Sequence, residues 1–131
     1  MNNNAVVLLA SRILLAGLFV VFGIRKARAV AGTTKYFAAL GLPMPDVLVW
    51  LVILVEIGGG VLLIIGWRTR LVAWILAAFT VCATFAAHRF WEFDGAQYVP
   101  QLTSFMKNLA NTGGMLMVAA CGPGRLSVDK G

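Results

Sequence analysis

The sequence predicts an all-α membrane protein: a four-transmembrane-helix bundle with a short interfacial helix between the first two spans. Three observations carry this. Of 131 residues, 60% are hydrophobic and 12% are charged, against roughly half and a quarter in soluble domains. The apolar residues come in four blocks that suit a hydrocarbon core about 30 Å thick, which takes about 20 helical residues to cross. Charged and aromatic residues gather at the ends of those blocks, where headgroups meet water. A chain of this length is expected to form one domain over residues 1–131.

The first block runs from Ala5 to Ile24 and stops at Arg25 and Lys26, giving a helix over about 5–26. A cleaved signal peptide carries its charge before a shorter apolar run, so this block reads as a retained span. Thr33 to Leu42 is too short to cross, but Tyr36, Phe37 and Leu40 share a helical face suited to lying along the interface. The Leu42-Pro43-Met44-Pro45-Asp46 stretch ends that helix and opens the second span, about 46–66, because proline is tolerated in a first turn and disfavours helix before it.

The third span, about 70–89, begins at Arg70 and reaches His88-Arg89. Arg89 to Gln101 holds Glu92, Asp94, Gly95 and Pro100 and reads as an exposed loop. The fourth span, about 101–122, is closed by Gly122-Pro123-Gly124. Trp67 and Trp74 mark one membrane surface; Phe90, Trp91 and Phe93 mark the other.

An even number of spans puts both termini on one side, but charge bias does not choose which. Arg68, Arg70, Arg125 and Lys130 lie on the terminal side, and Arg25, Lys26, Arg28, Lys35 and Arg89 on the other. The net charge of +6 fits anionic headgroups at helix ends. It does not fit nucleic acid, since no basic stripe is interleaved with aromatics.

Ionisable groups in hydrocarbon are costly and need a partner or a water path. Arg12 and Lys26 lie on one face of the first helix with the small residue Gly23. Glu56 shares a face with Gly59 and Gly60. Thr80, Thr84 and His88 line up on the third helix, with Cys82 turned about 200° from them. Lys107, Asn108 and Asn111 form a polar seam on the fourth, with Gly114 one turn on. By helical rise these groups make a funnel opening toward the loop between the first two spans, with an acidic floor at Glu56.

Each has a plainer reading. Arg12 either pairs with Glu56 near the midplane or snorkels to the terminal surface; Lys26, His88 and Lys107 suit interfacial anchors; the glycines suit packing; Glu56 suits a structural ion pair.

Cys82 and Cys121 form no C-x-x-C pair and sit at different depths, so disulfide exchange is not expected. A single His without a carboxylate cluster argues against a metal site, and against intrinsic haem. Gly58-Gly59-Gly60 lies within an apolar helix and is no phosphate loop.

In order and spacing, these positions resemble the DoxX family of small bacterial and archaeal membrane proteins. The resemblance covers nearly the whole chain. It rests on Arg12, Gly23 and Lys26, on Tyr36-Phe37 before Leu42-Pro43, and on Glu56-Ile57-Gly58-Gly59 followed by Gly66-Trp67-Arg68-Thr69-Arg70. His88, Lys107-Asn108-Leu109, Gly113-Gly114 and Gly122-Pro123-Gly124-Arg125-Leu126-Ser127 complete it.

The resemblance implies a multi-pass protein of the cytoplasmic (inner) membrane with both termini cytoplasmic. It also implies a redox-linked role: a membrane subunit working with a soluble oxidoreductase, or with further copies of this chain. No cofactor would be intrinsic, but a quinone headgroup is the expected ligand. Glu56 or His88 would handle protons, and Lys26 and Lys107 would bind the headgroup. Two other readings stand beside it: a proton-coupled small-molecule transporter, and a non-enzymatic assembly partner or chaperone of another membrane protein.

Overall fold

The computed structural model describes residues 3–130. The order is α1 (Asn3–Ala27), α2 (Val30–Ala39), α3 (Pro45–Ile53), a π-helical turn (Leu54–Gly58), α4 (Gly59–Ile65), α5 (Thr69–Ala87), two 3-10 turns (Phe90–Glu92 and Gly95–Gln97) and α6 (Tyr98–Cys121). Among the described residues, three segments are long and apolar enough to cross a bilayer: α1, the continuous α3-to-α4 segment, and α5 with its following turn. The polar residues of α6 set it apart from these three.

Two boundaries depart from expectation. The short helix starts at Val30 rather than Thr33, because the Thr33 and Thr34 hydroxyls donate back to the carbonyls of Ala29 and Val30 within the same turn. The last helix starts at Tyr98 rather than Gln101. Pro100 is accommodated because first-turn amides have no helical acceptor to lose, and Phe85, Phe90, Trp91, Tyr98 and Phe105 pack edge to face or tilted around that start.

Small residues set how close the helices come. A Cβ on Gly23 would lie 2.6 Å from Ile57 Cγ1 and 3.0 Å from Glu56 Cβ, and one on Gly60 would lie 2.6 Å from Val20 Cγ2. Gly59 faces Leu76 of α5 instead, and Gly114 faces Leu15 of α1. So Gly59 and Gly60, read from sequence as one face with Glu56, serve two different neighbours, because consecutive residues of a helix point about 100° apart. Gly60→Ala should cost about 1–3 kcal/mol by overpacking against α1. Gly17→Ala, with open space around it, should be neutral or gain up to about 1 kcal/mol in helix propensity. Denaturation in detergent that ranked them the other way would overturn the α1–α4 contact.

The chain end is built into the fold. Val128 and Asp129 donate their amides to the carbonyls of Ile65 and Gly66, each at 3.0 Å. Asp129 then accepts from the amides of Arg68 (2.9 Å) and Thr69 (2.8 Å), capping α5 from sixty residues away. Arg70 returns the tie by donating to the Ala119 and Ala120 carbonyls at the end of α6.

The Asp129 carboxyl is held below its usual value, chiefly by the Thr69 amide. A depressed folded value means this cap is fully present above the unfolded value of about 3.9 and is lost as pH falls through the lower folded value. Thermal stability should therefore drop on acidification below about pH 4, and Asp129→Asn should flatten that part of the pH profile.

Candidate functional site

Arg12 is 1% exposed. It does not reach Glu56: its guanidinium donates to the carbonyls of Leu63 (3.0 Å) and Ile64 (2.8 Å) and to that of Leu126. Those first two carbonyls belong to the last turn of α4, where no helical donors remain. Arg12 therefore caps α4 and fastens the chain end to it.

The expected pairing with Glu56 fails on register. Gly23 lies level with Glu56, and Arg12 level with Gly66, so about 15 Å of helix separates the two charges. Glu56 is about 16 Å along its helix from Pro45, yet it sits only about four residues in from the end of α1. The first turns of α3 overhang that end, filled by Phe37, Val49 and Ile53 with Leu42 and Leu48 around them.

At this level Glu56 meets Lys26, with Nζ 2.8 Å from Oε1 and side chains 27% and 7% exposed. Lys26 is turned toward the carboxylate and stays partly exposed. The π turn Leu54–Gly58 is centred on Glu56, and such turns concentrate at functional sites.

The pair borders a cavity of about 1060 Å³. Lys26, Glu56, His88, Lys107, Asn108 and Asn111 all line it; Arg12 does not. The structure thus brings six of the expected residues around one space and assigns the seventh to the frame. His88 is tied across to α6 by Nδ1 at 2.9 Å from Gln101 Oε1.

Two details of α5 differ from the helical-wheel reading. Cys82 lines the cavity, whereas Thr84 is buried and donates to the Thr80 carbonyl at 2.6 Å. Thr80 lines the space, but its hydroxyl is likewise turned to the Leu76 carbonyl at 2.7 Å. Alternate rows of α5 therefore face the cavity and the helix packing.

The short helix α2 covers one end, with Tyr36, Phe37 and Leu40 in the lining. Burial raises the Tyr36 phenol above its ordinary value, so it stays a neutral donor. The sequence placed those three on one face but gave no sign that the face would close a cavity. No cluster of three His, Cys, Asp or Glu side chains able to hold a metal occurs among the described residues.

Fold and site together define a class: a small helical membrane protein that encloses an apolar cavity with a charged, amide-lined end. The chain belongs to the DoxX family, whose model matches residues 7–89, from α1 to just past α5. It is 32% identical over 125 residues to the inner membrane protein YphA of Escherichia coli (strain K12), covering 95% of this chain and 89% of that protein. It is 40% identical over 122 residues to the inner membrane protein YqjF of the same organism, covering 93% and 88%. No solved structure matches it.

Proposed function

We propose that this chain is a four-span protein of the cytoplasmic membrane that binds a quinone headgroup and works as the membrane subunit of a soluble oxidoreductase. The observation that carries the reading is the cavity itself. Its walls are mostly Leu, Phe, Val and Ala side chains, and beside Tyr36, Thr80, Cys82 and Ser104 its polar groups are Lys26, Glu56, His88 and the Lys107-to-Asn111 seam. A quinone needs this division: an apolar site for ring and chain, and a few donors for two carbonyl oxygens.

Lys107 and the Asn108 and Asn111 amides can donate to those oxygens, and Glu56 or His88 can give and receive the protons that accompany reduction. Electrons would come from the partner, since quinone reduction takes two electrons and two protons.

The fourth span is α6. Its 24 residues reach about 36 Å, α5 packs along it more extensively than any other pair of elements in the fold, and its seam faces the cavity rather than lipid. Both termini then share one side, taken as cytoplasmic. Location in the inner membrane follows the two E. coli relatives, whose names place them there.

Photolabelling with an azidoquinone in membranes tests the site. Glu56→Gln should lower labelling of the folded fraction about tenfold or more, the effect of losing one hydrogen bond to a charged group. Undiminished labelling would take Glu56 out of the site. Recovery of the chain from mild detergent without a soluble oxidoreductase would remove the subunit role.

A further inference from the structure

We infer that the cavity is loaded sideways from the lipid phase, through the gap between α1 and α6, by an amphiphile whose apolar chain lies along Leu14 and Leu18. This rests on reading the cavity as a ligand site and adds the route and the ligand's shape.

The lining is longer on α1 than on any other helix. It runs from Leu14 through Leu15, Leu18, Phe19 and Phe22 to Lys26, about 18 Å of helix, apolar until its last turn. On α6 it covers only Ser104 to Asn111, about 10 Å. α4 lends it no wall, because α4 is pressed onto α1 at Gly60.

The far end of the space is therefore a groove beside α1, not a closed pocket. Leu14 there is 78% exposed. α1 and α6 come together at Leu15 and Gly114; on the α2 side of that crossing, the cavity lies between them. Lys107 and Ala110 of α6 both line the space and are exposed, so they form the rim opposite Leu18 and Phe22. The end toward the loop, where a water-filled funnel would open, is covered by Tyr36 and Phe37 of α2 and by Leu40 just after it.

A polar head set among Lys26, Glu56 and Lys107 leaves a chain the apolar path past Leu18 and Leu14 into the acyl region, since Leu42, Leu48 and Val52 on the other side pack against the Phe37, Val49 and Ile53 cluster. A purely aqueous solute has no comparable fit. Its route would have to pass under α2, and most of the wall it met would be hydrocarbon.

Cys82, on the cavity wall, is a native reporter, and Cys121, exposed at the end of α6, is a control outside it. The full chain in sealed vesicles would be treated with N-ethylmaleimide or with a permanently charged methanethiosulfonate, applied from both sides. Each cysteine would be followed by mass spectrometry against the unfolded chain. Lateral access predicts that the neutral reagent reaches Cys82 while the charged one does so roughly a hundredfold more slowly, the penalty for carrying charge through hydrocarbon. Cys121 should react with both.

Ala110→Trp, which narrows the gap, should lose Cys82 labelling and keep that of Cys121. Charged labelling of Cys82 at the Cys121 rate overturns the lateral route in favour of a water-filled funnel. A Cys82 that reacts with neither reagent overturns it too, because a wall open to lipid cannot be shielded from a lipid-soluble reagent. No quinone enters this experiment, so lateral access can fail while azidoquinone labelling stands, and the reverse.

Discussion

Replacing Arg12 with methionine is expected to lower the unfolding free energy in detergent by about 3 kcal/mol. The guanidinium donates three hydrogen bonds from a fully buried position, and bonds to a charged group contribute about 1.5–3 kcal/mol each without adding fully. The α4 carbonyls lie at a helix end, where water recovers part of the loss, so the effect stays well below the simple sum.

Arg12→Lys should restore less than half. One ammonium cannot span the α4 carbonyls and that of Leu126 as a planar fork does. Limited proteolysis supplies a second readout, since the segment around Arg125 should become cleavable when its anchor is lost. A loss under about 1 kcal/mol in SDS titration would show that the tail holds without Arg12.

The second large effect belongs to the Lys26 and Glu56 pair. Lys26→Met leaves a carboxylate that is 7% exposed without its cation. Breaking a buried pair from one side costs about 3–5 kcal/mol. Lys26 is 27% exposed, so partial screening brings the expectation to about 2–3 kcal/mol. Adding Glu56→Gln to that variant should recover most of the loss, because no charge then remains uncompensated. A double-mutant cycle measures the coupling. If the double variant is destabilised by the sum of the two single variants, the pair contributes no coupling and the residues act separately.

The two arginine and lysine predictions separate frame from site. Arg12 variants should weaken the chain and leave azidoquinone labelling of the folded fraction intact. Lys26 and Glu56 variants should alter both.

Much was legible in the residues themselves. An ionisable or amide side chain inside an apolar block has to turn away from lipid, and this alone gathers Lys26, Glu56, His88, Lys107, Asn108 and Asn111 toward the interior. Apolar block length marks the helices, and proline and glycine mark the turns at Pro45 and Gly122. The resemblance to the DoxX family was carried by the same positions.

What the sequence could not disclose was register and partner. Depth along one helix is additive at 1.5 Å per residue, but how far two helices slide past each other depends on where they pack. Gly23 against Ile57 and the overhang of α3 beyond α1 decided that Glu56 meets Lys26 and not Arg12.

The π turn at Leu54–Gly58 changes which face each following residue presents, and a change of hydrogen-bond pattern within an unbroken apolar run leaves no trace in hydrophobic periodicity. The caps made by Arg12, Arg70 and Asp129 join residues roughly fifty to a hundred and more positions apart. Such contacts follow from chain reversal, not from any local spacing. Composition and pattern therefore determined that this is a helical membrane protein with an inward polar set, while tertiary packing alone decided which charges meet, which only brace the helix ends, and that the polar set borders a cavity.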